Sequence, residues 1–269
     1  MDLKPPITSK ANARVKALRA AFCGDASAPG ELLGIEGEHL IAEALRSRVQ
    51  IETVFVRAGS EEQLQRFSLT GLRPANFAVL SREVFDSAVD TSSPQGIAAT
   101  LAIPALALPN SQQRAGILLV VEALQDPGNL GTLLRSAEAF GIDRVLLTPE
   151  TVNPWNPKAV RASAGSVFRV PVERLPLPAI AERLRSAKVR LFAAVAQSSG
   201  ATPLMEAKLA MPCALLIGNE GAGLSVEALR LADEKVNIPC AVESLNAAIA
   251  GSTLMYEAMR QNLHLEDGR

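Results

Sequence analysis

The sequence predicts a two-domain α/β protein, in which a smaller α/β domain precedes a larger one built on a parallel sheet. Strand-like and helix-like segments alternate along most of the chain, the pattern of layered α/β folds. Four runs in the second half, GILLVV, RVLLT, VRLFAAVA and ALLIG, are almost continuously apolar, as strands buried on both faces of a parallel sheet are. Between the halves lies IPALALPNSQQRAG, residues 103–116, whose prolines and polar run interrupt strands and helices alike. The expected division is residues 1–103, a linker at 104–115, and residues 116–269.

In the first domain a basic helix is expected over Asn12–Phe22, followed by strand LLGIE and a helix over His39–Arg46. Strand TVFVR, a helix near Glu61–Phe67, strand NFAVL, a short helix after Ser81 and strand GIAATLAI complete it. In the second domain, helices at 129–140, 156–164, 178–187 and 225–232 alternate with the four apolar strands. The last helix, Ser244 to about Asn262, places Leu245, Ala248, Ile249, Ser252, Met255, Tyr256 and Met259 on one side, at i, i+3, i+4 spacing. Trp155 and Tyr256 are expected to be packing residues.

A composition of 48% hydrophobic and 20% charged residues supports a full-sized core. The net charge of -1 gives no global basic field, so a nucleic-acid partner would have to meet a local basic surface. Cys23, Cys213 and Cys240 are far apart with no Cys-x-x-Cys spacing, which argues against a metal site and a disulfide framework. His39 and His264 are the only histidines and lie in no candidate loop, which argues against histidine-based acid-base chemistry. The opening MDLKPPITSKANARVK has no apolar run behind it, and no stretch is long and apolar enough to span a bilayer. A cytoplasmic protein without membrane or metal is expected.

In open parallel sheets, ligands bind where strands end and helices begin. Three such junctions are rich in Gly, Asn, Glu and Ser: DPGNLGTLLRSAEAFG (126–141), IGNEGAGLS (217–225) and IPCAVESLNAAIAG (238–251). The first has the look of a phosphate loop. Its Gly128 and Gly131 give G-x-x-G rather than a dinucleotide fingerprint, and no Lys-Ser/Thr follows Gly131, so a Walker loop fails too. It is equally a helix start, capped by Asp126 or Asn129 with Pro127 just inside and Arg135 paired to Glu138 at i+3. In the second junction, Gly218, Gly221 and Gly223 allow a tight turn and close backbone approach, and Glu220 suits a cationic or hydroxyl-bearing ligand. A Gly-rich turn capped by Ser225 explains it as well. In the third, Ser244 is a candidate N-cap and Asn246 lies in the first helical turn, where a polar Asn beside an otherwise apolar helix start is also explained as capping. Taken singly, none of the loops is specific.

Taken in order, ALQDPGNLGTLLRSAEAFG, NPKAVRASAGSVFRVPV, LLIGNEGAGLS and VNIPCAVESLNAAIAGSTLMYEAMRQ resemble the SpoU (TrmH) family of RNA ribose 2'-O-methyltransferases, in the knotted SPOUT class. These pieces cover most of residues 117–262. In the first half, ITSKANARVKALR, IEGEHLIAEAL, TVFVR and DTSSPQGIAAT resemble the family's substrate-binding domain, which is related to ribosomal RNA-binding proteins. The resemblance implies S-adenosylmethionine as methyl donor and a deep trefoil knot in the C-terminal domain. Knots are otherwise all but absent from protein folds, and pattern reading proposes none. It also implies a homodimer through that domain, with the cofactor near the subunit contact. By matching position, Gly218, Ile238 and Leu245 would line the cofactor, and Asn129, Arg135, Glu220, Ser244 and Asn246 would form the catalytic face. The segment IPCAVESLN departs from the family pattern: it is shorter by about two residues and has Cys240 where a Met is usual.

Methyl transfer from a sulfonium to a ribose hydroxyl needs alignment and loss of the hydroxyl proton. Arginine stays protonated at working pH, so Arg135 is expected to hold the target phosphate and stabilise charge on the ribose oxygen. Asn129, Ser244 and Asn246 would orient the nucleotide, and Glu220 would fix loop geometry. Lys10, Arg14, Lys16 and Arg19 form a basic run that would track RNA, with Lys158, Arg161 and Arg169 nearer the active face. A solvated helix surface explains the first group equally. Large-subunit (23S) ribosomal RNA is the expected substrate, with transfer RNA or a non-catalytic RNA-binding role as alternatives.

Overall fold

The computed structural model describes residues 5–66, 76–105, 116–197 and 200–266. The chain forms two compact units, Met1–Ala105 with Asn153–Phe168, and Leu106–Val152 with Arg169–Arg269. The expected linker at 104–115 lies outside the described residues except for its first two.

In the N-terminal unit, α1 (Ala13–Ala21), β1 (Leu32–Glu36), α2 (Glu38–Arg46), β2 (Ile51–Arg57), β3 (Phe77–Leu80), α3 (Arg82–Asp86) and β4 (Ile97–Ala102) follow one another. The sheet order is β1-β4-β2-β3, with β4 antiparallel to both neighbours and β2 parallel to β3. Asn12 caps α1 by accepting the Arg14 N–H at 2.9 Å. Helix α1 then turns Val15 and Leu18 onto Phe55, Leu80 and Phe85. The segment expected as a helix near Glu61–Phe67 is a 3₁₀ helix, Glu61–Arg66, and Phe67 lies outside the described residues.

The C-terminal unit contains β5 (Ile117–Val121), α4 (Pro127–Ala139) and β6 (Arg144–Leu147), and the chain then makes its excursion through α5 (Pro157–Ala162). After the excursion come β7 (Val172–Arg174), α6 (Leu177–Ser186), β8 (Arg190–Val195), β9 (Thr202–Pro203), β10 (Cys213–Ile217), α7 (Val226–Leu231), β11 (Glu234–Asn237) and α8 (Ala247–Glu266). The sheet is parallel throughout, in the order β7-β6-β5-β10-β8-β11-β9. The parallel-sheet α/β architecture expected from the sequence is borne out, with seven strands where four were expected. The additional strands read VER, TP and EKVN. They lie toward the sheet edges, where charged residues and proline are tolerated and no continuous apolar run is required.

Strand alternation divides the core between two faces. Val120, Leu146 and Leu216 pack with Ile180 and Leu184 of α6 and Ala228 of α7. The next residue in β10, Ile217, points the other way, toward Gly251 of α8. Helix α8 packs against α4, β10 and β5. A Cβ on Gly251 would stand 2.4 Å from Leu133 Cδ2, so the roughly 1 kcal/mol that glycine costs a helix permits close helix packing here. Cys213 is fully buried, and burial pushes its thiol up to about 12, which makes it a packing residue rather than a nucleophile.

Residues 153–168, which the sequence placed in the second domain, pack with the N-terminal unit. Asn153 Nδ2 donates to the Ala26 carbonyl at 2.7 Å. Trp155 is buried and stacks on Phe168, and α5 packs on β1. Among the described residues, no helix is long and apolar enough to cross a membrane, and no group of three His, Cys, Asp or Glu is placed to hold a metal.

Candidate active site

The C-terminal ends of β5 and β10 are neighbours in the sheet, and the loops that leave them are bonded together. Helix α4 is capped by Asp126, whose side chain accepts the Asn129 N–H at 2.8 Å, with Pro127 at the first helical position. Of the two capping residues considered, Asp126 takes the role, and the Asn129 side chain is left for other partners. In the second loop, Asn219 and Gly223 exchange backbone bonds of 3.0 Å each way, while Asn219 Oδ1 accepts the N–H groups of Gly221 and Ala222. A Cβ on Gly218 would lie 2.5 Å from the Gly223 carbonyl carbon and oxygen. Glycine at 218 is therefore required by close backbone approach.

Glu220 projects from this hairpin to α4. Its carboxylate accepts Asn129 Nδ2 at 2.9 Å and the Asp126 and Gln125 N–H groups at 3.2 and 3.3 Å. Partial burial raises its pKa, but the bonds from Asn129 and from backbone N–H groups outweigh this and hold it below the ordinary value of 4.5. Asn246 Nδ2 donates to Asn129 Oδ1 at 3.0 Å. The last helix begins at Ala247, and its cap is Asn246, whose Oδ1 accepts the Ala248 and Ile249 N–H groups at 2.9 and 3.2 Å. Of Ser244 and Asn246, both open as caps from the sequence, Asn246 takes the role.

The chemistry of Glu220 sets the direction of the whole relay. A carboxylate only accepts, so Asn129 must turn its NH₂ toward Glu220 and its oxygen toward Asn246. Asn246 in turn presents its NH₂ to Asn129 and its oxygen to the N-terminus of α8, where negative charge is favoured. Each amide retains a second N–H for a further acceptor.

Arg135 and Ser244 are not part of this relay. Both are exposed, and neither side chain has a hydrogen-bond or ion-pair partner among the described residues. The alternative considered for Arg135, a pair with Glu138, does not form; Glu138 binds Arg169, with one contact at 3.0 Å. Among the residues matched to the cofactor, Gly218 is buried, whereas Ile238 and Leu245 are half-buried. In the shortened segment before Ser244, the Cys240 thiol donates to the Val242 carbonyl at 3.2 Å.

The basic residues lie apart from one another in their bonding. Lys10 pairs with Glu83 at 2.7 Å and Arg161 with Asp90 at 3.3 Å. Arg14 and Lys16 are exposed on α1 without an ionic partner among the described residues. Arg19 bonds to the Ser87 carbonyl and hydroxyl at 3.4 and 3.5 Å. Lys158 and Arg161 lie on α5, in the segment that packs with the N-terminal unit.

Sequence reasoning missed the residues that support the relay. Glu122, directly after β5, is buried and accepts both the N–H and the hydroxyl of Ser225. Ala123 has φ +53, and its carbonyl accepts Asn219 Nδ2 at 2.8 Å and Gln125 Nε2 at 3.0 Å. A carboxylate at the end of an otherwise apolar strand, VVE, was the one available signal.

Comparison with known proteins agrees with this geometry. Residues 116–256 match the model of the SpoU rRNA methylase family. Residues 35–106 match that of the RNA 2'-O ribose methyltransferase substrate-binding domain. The chain is 35% identical to the Bacillus subtilis 23S rRNA (guanosine(2553)-2'-O)-methyltransferase RlmP, over 82% of this chain and 86% of the relative. A Streptomyces viridochromogenes 23S rRNA (uridine(2479)-2'-O)-methyltransferase is 34% identical over 64% of this chain and 62% of its own. The AdoMet-bound rRNA methyltransferase of Sinorhizobium meliloti superimposes with a TM-score of 0.78 at 28% identity, covering 95% of this chain and 97% of that one. The chain belongs to the SpoU rRNA methylase family, whose members transfer methyl groups to RNA from S-adenosylmethionine.

Proposed function

We propose that this protein methylates a ribose 2'-OH of large-subunit (23S) ribosomal RNA, in the cytoplasm, using S-adenosylmethionine. The observation that carries the reading is the relay from Glu220 through Asn129 to Asn246, which joins residues from three loops at the C-terminal ends of the strands. Parallel α/β sheets bind their ligands there.

When bound, S-adenosylmethionine supplies a methyl group already activated on a sulfonium. The loops fit such a ligand. Among the described residues, nothing lies within 4 Å of where a Cβ on Gly223 would stand, so the backbone is open to approach, and half-buried Ile238 and Leu245 offer apolar contact to a base. The chain's own work is alignment. The spare N–H groups of Asn129 and Asn246, with the unpartnered Ser244 hydroxyl, orient the acceptor ribose. Glu220 is too weak a base to take the proton at neutral pH, and a guanidinium has no proton acceptor to offer. The proton therefore leaves to solvent, while Arg135 holds a substrate phosphate and offsets charge on the ribose oxygen.

Arg14 and Lys16, with Lys10, Lys158 and Arg161, contact RNA backbone in this reading. The ion pairs of Lys10 and Arg161 are partly exposed, and pairs of this kind contribute only about 0–1 kcal/mol, so a phosphate can displace the carboxylate. The protein acts as a homodimer through α8, where Ile249, Tyr256 and Leu263 stand exposed at seven-residue intervals and form one apolar stripe. The trefoil knot belongs to the same reading, supported by the return of α8 to the central strands β5 and β10 after the chain has reached β11 near the edge.

The test is methyl transfer from labelled S-adenosylmethionine to ribosomal RNA from a strain lacking the gene, with 2'-O-methylation mapped by nucleotide. A new mark in large-subunit RNA is expected, and Arg135→Ala should lower its rate at least about a hundredfold. A mark only in transfer RNA would overturn the substrate, and calorimetry without S-adenosylmethionine binding would overturn the catalytic role.

A further inference from the structure

Glu122 is a buried carboxylate that the proposed chemistry does not use. It is 7% exposed and has no ion-pair partner among the described residues. Burying a carboxylate is unfavourable unless its oxygens are bonded, and here both are. Oε2 accepts the Ser225 N–H at 2.9 Å, and Oε1 accepts the Ser225 hydroxyl at 2.6 Å. The same hydroxyl oxygen accepts the Ala228 N–H at 3.0 Å, capping α7. The backbone N–H of Glu122 donates to the Ile217 carbonyl at 2.8 Å. One residue therefore holds both ends of the 218–224 loop: Ile217 at its entrance through the main chain, and Ser225 at its exit through the side chain.

The next residue carries the constraint toward α4. Ala123 adopts φ +53, an unfavourable conformation for a residue with a Cβ. Its N–H donates to Thr148 Oγ1 at 3.1 Å, while its carbonyl accepts from Asn219 and Gln125. Glu122 and Ala123 thus fix the Glu220 hairpin against the turn that leads into Asp126 and Asn129. Glu220 must reach Asn129 Nδ2 within 2.9 Å, and this clamp sets the distance between the two loops that carry them.

We infer that Glu122 is a positioning residue for methyl transfer, fixing the 218–224 loop so that Glu220 orients Asn129. The inference rests on the reading of Glu220, Asn129 and Asn246 as the catalytic relay. Glu122→Ala frees the Ser225 end of the loop, and misplacement of about 1 Å costs turnover about a hundredfold. Substrate RNA contacts on the N-terminal unit are untouched. Glu122→Gln retains one acceptor for the Ser225 N–H, and its NH₂ can donate to the Ser225 hydroxyl oxygen, so it preserves the clamp.

The experiment measures single-turnover methyl transfer to large-subunit RNA from a strain lacking the gene, with RNA affinity and thermal melting, for Glu122→Ala, Glu122→Gln, Asn129→Ala and the Glu122→Ala/Asn129→Ala double variant. The expected result has four parts: kcat of Glu122→Ala down roughly a hundredfold; RNA affinity within about twofold; Glu122→Gln within roughly tenfold of wild type; and a double variant scarcely slower than the slower single variant. Unchanged kcat in Glu122→Ala, with Asn129→Ala impaired, overturns the positioning role alone. Unchanged kcat in Asn129→Ala overturns the relay itself. Parallel loss of melting temperature, RNA affinity and kcat in both Glu122 variants assigns Glu122 to folding and likewise overturns the inference.

Discussion

Glu36 in the N-terminal unit and Glu122 in the C-terminal unit occupy matching situations. Glu36 ends β1 and is buried, accepting the Thr91 hydroxyl at 2.6 Å and the Gln95 N–H at 2.7 Å. Glu122 follows β5, is buried, and accepts a hydroxyl at 2.6 Å and an N–H at 2.9 Å from Ser225. Each clamps a loop distant in sequence by bonds that a carboxylate makes strongly. What the loops carry is different. The 91–95 loop presents exposed Ser92, Ser93 and Gln95. The loop held by Glu122 presents Glu220, which passes its bonding on to Asn129 and Asn246. The same device makes a surface in one unit and a connected network in the other. Damage to the first should therefore appear in binding, and damage to the second in turnover.

Gly218→Ala strikes the network at its base, through stability and cofactor affinity together. The added methyl meets backbone atoms of Gly223 and Leu224 at 2.5–2.7 Å, and backbone cannot yield as a side-chain end can. Overpacking of this kind costs about 1–3 kcal/mol. Melting should shift downward, and calorimetry should show S-adenosylmethionine affinity reduced at least tenfold, about 1.4 kcal/mol. Gly223→Ala is the control: its φ of +67 strains the substitution, but the space is open, so its loss should be smaller.

Asn129→Asp comes next. It sets a carboxylate against Glu220 Oε1 in place of a donor now 2.9 Å away, and like charges repel. Methyl transfer should fall by more than the roughly hundredfold expected for loss of one polar contact. Asn129→Ala should be the milder variant in the same assay. The reverse order would mean that the Asn129 amide does not donate to Glu220.

These residues show what the sequence made legible. Strands β5, β6, β8 and β10 were readable because a strand buried on both faces must be apolar throughout. Strands β7, β9 and β11 were not, because near an edge the same constraint disappears. The three loops were readable as candidate ligand loops from their composition, and their order carried the family resemblance. Their bonding was not, since Asn129 and Glu220 are 91 residues apart and Asn129 and Asn246 are 117 apart, a register that no local pattern encodes. Ser244 and Asn246 are both good caps by type, and only the backbone decides between them. Arg135 and Glu138 have the spacing of a helical pair, yet Glu138 is taken by Arg169 from the turn before β7.

The N-terminal half of the comparison is probed by Glu36→Ala. Removing a buried acceptor leaves the Thr91 hydroxyl and Gln95 N–H without it, at about 1–3 kcal/mol. Melting should shift downward and the KM for RNA should rise, while kcat at saturating RNA stays within about twofold of wild type, a difference of roughly 0.4 kcal/mol. A fall in kcat as large as that of Glu122→Ala would erase the distinction between the two clamps. A smaller effect is expected from Arg14→Gln with Lys16→Gln. If each residue meets one phosphate, the slope of log affinity against log salt should drop by about two, with kcat unaltered. An unchanged slope would make α1 a solvated surface.

The smallest effect expected is a null one, on pH. Glu220 has a pKa held below 4.5 in the folded protein, so its charged form stabilises the relay. That contribution is complete above the unfolded value and is lost only as pH falls through the lower folded value. Between pH 6 and neutrality it is constant. The kcat profile should therefore show no break assignable to Glu220 across this range, and Glu220→Gln should lower the profile without shifting it. A kcat that climbs tenfold per pH unit up to a plateau near neutrality, and loses that climb in Glu220→Gln, would identify Glu220 as the general base. The carboxylate would then be a proton acceptor in turnover, and the contrast between a clamp that presents a surface and one that orients a relay would have to include proton transfer on the catalytic side.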